Sequence, residues 1–319
     1  MAYSKTTVRV STKLINLSVK ALSQSMTPKI MVSLARELIP NYDIFQRTGI
    51  PGSVAIPNVT AAKQIVQDMI ARESFLDFIL LLVKTSEYGY MGRRYAIPYL
   101  KSLINGVIDM GFIYDNANDM FVENPNLRRT RNWGTLKTGK TYTVAFLRID
   151  IVGSSGIVRS HNEKTVHQCY DDLRRIVQLS IEKRNGRIWG WDGDGGLAAF
   201  FYGNKNQSAV LAGMEILHEI FLYNYSRNPL SDPLKVRLAV HNGPFTYSPS
   251  EEDLKNSDTV KKVEDIEHSL SPPMGLALSE AVQVMLDHSI IIQLSEKKES
   301  RYRKYFVYEM HNSNNNRKR

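Results

Sequence analysis

FLRIDIVGSSG, residues Phe146 to Gly156, runs from apolar residues into a carboxylate and then into a glycine- and serine-rich bend. With the residues before it, TYTVAFLRIDIV predicts a strand ending at Asp150. Gly153, Ser154, Ser155 and Gly156 then predict a turn whose backbone amides can face a polyphosphate. EKTVHQCYDDLRRIVQLSIEKRNG has helical spacing, with Val166, Cys169, Leu173, Ile176, Val177 and Ile181 on one side and Asn185-Gly186 as its stop. RIWGW and LAAFFY flank DGDGG, the pattern of a hairpin with Asp194 in its turn. Adjacent strands bring Asp150 and Asp194 together, and neighbouring carboxylates repel unless a divalent cation neutralises them. Mg²⁺ or Mn²⁺ suits few carboxylates plus substrate phosphates. The plainer reading keeps Asp150 as a strand end and Asp192 to Gly195 as a tight turn.

Beyond the hairpin, the pattern predicts a second helix from Gln207 to Tyr225 and a strand at LKVRLAVH. SPSEEDLKNSDTVKK follows as a loop, GLALSEAVQVMLDH as a third helix, and IIIQLSE and YFVYEM as closing strands. Strand, helix, hairpin, helix, strand, helix, strand, strand is an α+β order close to a ferredoxin-like sheet with helices on one face.

The N-terminal half has a different texture. Pro28, Pro40, Pro51 and Pro57 punctuate residues that read mainly as helices, including Thr60 to Lys84 and Ile97 to Met110. GFIYDNANDMFVEN then predicts a short hairpin. A helix followed by such a hairpin fits either a winged helix or a helical packing and dimerisation domain. The expected organisation is a mainly helical domain over 1–127, a basic linker over 128–141, a catalytic domain over 142–310 and a disordered tail over 311–319.

GTLKTGKT, Gly134 to Thr141, matches the P-loop pattern letter for letter. A P-loop needs a buried strand before its glycine-rich turn and a helix after it. Here LRRTRNW precedes and the strand-like YTVAFLRID follows, so the motif is a basic approach to the first strand.

Composition narrows the function classes. The chain has 319 residues, 43% of them apolar, and a formal charge of +9. The single cysteine, Cys169, cannot form an internal disulfide, and MAYSKTTVRVST lacks the apolar core of a signal peptide. Ile79 to Val83 is too short to span a bilayer, which together with these features predicts a cytoplasmic protein with no membrane partner. Positive charge clusters at Arg128, Arg129, Arg131, Lys137 and Lys140, at Lys297, Lys298, Arg301, Arg303 and Lys304, and at Arg317 to Arg319. A nucleotide triphosphate, nucleic acid or a merely soluble surface each fits that clustering.

Together these stretches resemble the class III nucleotidyl cyclases. FLRIDIVGSSG resembles the family's first metal motif, NGRIWGWDGDGGLAAFF its second, and VRLAVHNGPF the strand that usually reads Val-Arg-x-Gly-Ile-His-x-Gly. The resemblance covers about Tyr142 to Met310, and the motifs stand in the family's order. It implies a head-to-tail homodimer in which Asp150, Asp194 and the backbone carbonyl of Ile151 hold two divalent ions, Mn²⁺ or Mg²⁺. It further implies 3′,5′-cyclisation of a nucleoside triphosphate with release of pyrophosphate. Gly153, Ser154, Ser155 and a lysine such as Lys298 would lie at the substrate, although the basic run also fits a solvated strand edge.

Departures bear on the substrate. Purine cyclases usually place Lys or Glu four residues before the second metal aspartate, where this chain has Gly190. The family's helical Asn-x-x-x-Arg pair aligns with Gly275 and Ser279, and a further base-reading position aligns with His268, which otherwise reads as a surface histidine. Arg148, Arg159, Arg187 and Arg237 are available as replacement cations. The chain is similar to the pyrimidine cyclases of bacterial phage-defence (Pycsar) systems. That resemblance implies UTP first and CTP next as substrate and a cyclic-nucleotide receptor as downstream effector. A nucleic-acid partner is not expected, with the winged-helix alternative left to a binding assay at several salt concentrations. A purine cyclase with an unusual pocket and an inactive nucleotide-binding or dimerisation module are the alternatives.

Overall fold

A computed structural model describes residues 9–116, 118–297 and 304–310. The chain divides into two compact units, Met1–Thr135 and Leu136–Arg319.

The first unit contains α1 (Thr12–Ser25), α2 (Pro28–Leu38), α3 (Ile44–Thr48), α4 (Asn58–Ala71), α5 (Phe75–Tyr88), α6 (Leu100–Asp109), β1 (Phe112–Asp115) and β2 (Met120–Glu123). Ser11 caps α1 by accepting from the Leu14 amide, and Pro28 opens α2, where a missing N–H does no harm. The helical spacing across Thr60 to Lys84 is carried by two helices, α4 and α5. They part where Glu73 turns to φ 54° and the Ser74 amide bonds back to Met69. Leu14, Leu22, Met31, Ile65, Phe78 and Leu82 share one core. β1 and β2 form an antiparallel hairpin, with Phe112 opposite Glu123.

The second unit opens with β3 (Thr141–Ile151), α7 (Ser154–Ser160), α8 (Glu163–Glu182), β4 (Arg187–Asp192), β5 (Gly195–Phe200), α9 (Lys205–Ser226) and β6 (Val236–Thr246). It continues with α10 (Glu251–Asn256), α11 (Asp258–Leu270), β7 (Gly275–Ser279), α12 (Glu280–Gln283), α13 (His288–Ile291), β8 (Ser295–Lys297) and β9 (Tyr305–Glu309). The sheet order is β4-β5-β3-β6-β7-β9-β8. Its first four strands with α8 and α9 make a β-α-β-β-α-β unit of ferredoxin-like order, to which β7 adds in parallel with β6. Among the described residues no helix is long and apolar enough to cross a membrane.

Four local expectations give way. The Gly153–Gly156 bend is the start of α7, with Gly153 as its N-cap at φ 73°. SPSEEDLKNSDTVKK is helical: Ser250 caps α10, acidic residues fill its first turn, and α11 buries Val260, Val263, Ile266 and Leu270. GLALSEAVQVMLDH is not one helix; Gly275 to Ser279 form β7, buried throughout between β6 and β9. Ile290 and Ile291 belong to α13, so the penultimate strand is the short β8.

The helices also occupy both faces of the sheet. Leu147 and Ile149 of β3 share a core with Leu173 of α8 and Ile216 of α9. Strand alternation turns Asp150 to the opposite face, where Glu267 of α11 meets Arg237 and Arg237 meets Asp150.

Candidate active site

Asp150 lies near the end of β3, directly opposite Gly195 on β5 and Arg237 on β6. The β4–β5 hairpin closes through Gly193 and Asp194, and Gly193 adopts φ 55°, a conformation glycine takes without a Cβ clash. The residue after the turn, Gly195, packs so closely against Asp150 that a side chain there would be crowded. A Cβ there would sit 3.3 Å from Asp150 Oδ1 and 3.1 Å from Arg148 Nη2. The register therefore brings the residue bearing Asp150 next to the turn bearing Asp194, at one end of the sheet.

The two aspartates have different partners. Asp150 Oδ2 accepts from Arg237 Nη2 at 2.9 Å, while its Oδ1 has no hydrogen bond or ion pair among the described residues. Asp194 has neither, whereas the other hairpin aspartate, Asp192, lies 3.8 Å from Lys255 Nζ on the surface. Among the described residues no three His, Cys, Asp or Glu side chains converge as a metal cage. Carboxylate oxygens of Asp150 and Asp194 and the Ile151 carbonyl are all oxygen donors, the chemistry that suits a hard divalent cation keeping further positions for phosphate and water. Tyr170 of α8 places a buried hydroxyl, without a hydrogen-bond partner, where Asp194 and Asp150 both act on it; burial first, then those charges, raise its pKa.

The remaining expected residues fall at several places. Ser154 and Ser155 begin α7, and the Ser155 carbonyl accepts from Arg159 Nε at 3.1 Å. Gly190 pairs with Leu197 just past a register shift in β4, and a Cβ on it would meet nothing within 4 Å. Packing does not demand glycine there. Lys298, Arg301 and Arg303 lie outside the described residues, while Lys304 pairs with Glu296. His268 is exposed on α11. Gly275 and Ser279 lie on β7 rather than on a helix, and the Ser279 hydroxyl is engaged with His241 Nδ1 at 2.8 Å. The alignment that gave them the helical pair therefore puts that pair on a buried strand.

The arginines now separate. Arg187 is fully buried, with Nη1 donating to the Gly186 carbonyl. Arg159 is exposed. Arg237 bridges toward two carboxylates, Asp150 and Glu267. Arg148, two residues before Asp150, has a buried Nε without a hydrogen-bond partner.

Glu267 is the site-face residue that sequence reasoning missed. Its signal was present, because Val260, Val263, Glu267 and Leu270 follow helical spacing. Burial pushes its carboxyl up to about 7; Arg237 opposes that shift and Asp150 reinforces it. His241 is pushed down to about 4, by burial first and Lys262 second.

These two groups act oppositely on stability. The folded state holds a proton on Glu267 up to about pH 7, whereas the reference carboxyl releases it at 4.5, so this contribution is present at low pH and lost as pH rises to 7. Neutral His241 contributes stability above its reference value of 6.5, and that is lost as pH falls toward 4. Glu267→Gln removes the first term and leaves the second. Relative to wild type, that variant should lose about 2 kcal/mol as pH falls from 7 to 5, read by calorimetric melts in metal-free buffer. A pH-independent difference would contradict the buried carboxyl.

No family model matches the chain, and no curated protein matches it. Solved structures of similar fold include the guanylyl cyclase domain of the RhoGC fusion protein from the aquatic fungus Blastocladiella emersonii. Its TM-score is 0.45 and its identity 14%, over 54% of this chain and 98% of that one. The adenylyl cyclase CyaB from P. aeruginosa gives TM-score 0.46 and 14% identity, over 54% of this chain and 97% of that one. The guanylate cyclase domain of RhGC from Catenaria anguillulae, in complex with GTP, gives 0.44 and 14%, over 54% and 100%. At these identities the likeness concerns fold alone.

Proposed function

We propose that the second unit is a nucleotidyl cyclase that converts a pyrimidine nucleoside triphosphate, UTP before CTP, to its 3′,5′-cyclic monophosphate and pyrophosphate. The observation that carries this reading is the Asp150–Gly195 register, which sets Asp150 beside the Asp194 turn with carboxylate oxygens left unpaired. Asp150, Asp194 and the Ile151 carbonyl are the groups that would hold Mn²⁺ or Mg²⁺. Bound there, divalent ions would supply Lewis acidity toward the ribose 3′-hydroxyl and the triphosphate.

The chain's own residues set up the rest. The missing side chain at Gly195 keeps a Cβ from crowding Asp150 Oδ1. Gly153, Ser154 and Ser155 stand just past the end of β3 as candidate phosphate contacts, and Arg148, two residues before Asp150, is the nearby guanidinium. The reaction forms a bond between the 3′-oxygen and the α-phosphorus and breaks the α-phosphorus bond to the bridging oxygen. Pyrophosphate leaves and the hydroxyl proton passes to solvent.

The pyrimidine assignment is supported by Gly190, which offers no side chain where purine cyclases place a base reader although its surroundings have room for one. As in the family it resembles, the active form would be a head-to-tail homodimer. Its product would act as an alarm signal for a cyclic-nucleotide receptor in anti-phage defence. Mass spectrometry after separate incubation with the four triphosphates and Mn²⁺ should find cyclic UMP as the main product, with cyclic CMP below it. Cyclic AMP or cyclic GMP as the main product would overturn the pyrimidine assignment. No cyclic product from any of the four would leave a binding or dimerisation module.

A further inference from the structure

We infer that Glu267 is a positioning residue for the Asp150 site: it receives the Arg237 guanidinium when a divalent cation takes that guanidinium's place at Asp150. The inference rests on the metal-site reading above.

One cation stands between two carboxyl groups. Arg237 Nη2 donates to Asp150 Oδ2 at 2.9 Å, and Arg237 Nε lies 3.0 Å from Glu267 Oε1. The second contact is close but misaligned, and both atoms are buried without a hydrogen-bond partner. Arg237 is thus hydrogen-bonded to Asp150 and merely adjacent to Glu267. Such a buried donor and acceptor, a small rotation from pairing, are costly to leave unmade.

A divalent ion at Asp150 reverses the balance. It repels the guanidinium at short range and takes over the charge that Arg237 was neutralising. A displaced and partly buried guanidinium needs a new anion, since an unpaired buried charge is strongly unfavourable. The Glu267 side chain, only 6% exposed, is already at contact distance and lies on α11, which covers this face of the sheet. Arg148, the other guanidinium on this face, has no hydrogen bond or ion pair with Glu267 among the described residues, so that carboxylate remains available to Arg237. Turning Arg237 toward Glu267 satisfies both orphaned atoms and frees Asp150 Oδ2.

The test is Mn²⁺ titration of the full chain without nucleotide, above pH 7 where Glu267 is ionised, following the free-ion signal by electron paramagnetic resonance. The chains compared are wild type, Glu267→Gln, Arg237→Met, their double variant, and Asp150→Asn/Asp194→Asn as blank. Glu267→Gln should bind Mn²⁺ about tenfold more weakly, because Arg237 has no charged acceptor to move to. The double variant should return to within about threefold of wild type, because no guanidinium has to be moved. Arg237→Met alone should bind at least as tightly as wild type, which keeps the test decisive if Glu267→Gln does not fold by circular dichroism. Wild-type affinity in Glu267→Gln, a double variant as weak as Glu267→Gln, or about tenfold weaker binding in Arg237→Met would each overturn the handover. A wild-type chain that binds no more Mn²⁺ than the blank would instead remove the metal site itself, a result that involves neither Glu267 nor Arg237.

Discussion

Asp150→Asn and Asp194→Asn are each expected to lower cyclic-nucleotide formation by roughly a thousandfold or more, with the fold unchanged. An amide keeps the volume of the carboxylate but loses its charge, so the metal loses one of two anionic ligands. The two variants should differ in a second readout. Asp194 has no hydrogen bond or ion pair among the described residues, so Asp194→Asn should melt at the wild-type temperature in metal-free buffer. Asp150→Asn breaks a half-buried ion pair with Arg237 and should cost about 1–3 kcal/mol. Product formation at more than a tenth of the wild-type rate in either variant would contradict the proposed ligands.

Phe146→Ala is expected to cost about 3–5 kcal/mol, the largest stability effect among these variants. Phe146 is fully buried on the same face of β3 as Asp150, four residues earlier in the strand. Its ring meets Trp189 of β4 and Phe245 of β6 at centroid separations of 5.5 Å, both in edge-on geometry. Trp189 and Phe245 also meet each other at 5.2 Å, so one truncation opens a cavity shared by three strands. Urea unfolding followed by tryptophan fluorescence reads this directly, since Trp189 borders the cavity. A loss below 1 kcal/mol would mean that the aromatic cluster collapses around the gap.

Much of the second unit was legible because its pieces obey short-range rules. β3, the DGDGG hairpin, α8, α9 and β6 each combine a clear period with glycine, asparagine or proline at their ends. The places of Asp150 at a strand end and Asp194 in a hairpin turn followed from that pattern, because both are local features, whereas their expected role as a pair needed the two elements together and the family resemblance. The misreadings came where tertiary context decides. Gly275 to Ser279 has helix-forming Leu and Ala, yet pairing with β6 on one side and β9 on the other makes it a buried strand. SPSEEDLKNSDTVKK has loop composition overall, but Ser250 and the acids after it are helix-start chemistry. Glu267 was lost with that misreading, for a buried carboxylate can be suspected only once its helix face is known.

The hairpin geometry also sets a timescale. β3 is hydrogen-bonded on both sides, to β5 and β6, up to Asp150 itself. Asp194 rides on a two-residue tip at the outer pair of strands. Amide exchange at Asp150 should therefore follow opening of the whole sheet, while Asp194 follows the fraying of one hairpin. One ligand of the proposed site keeps the slow clock of the core and the other a fast local one. Capture and release of a cation would then be governed by the tip of the β4–β5 hairpin.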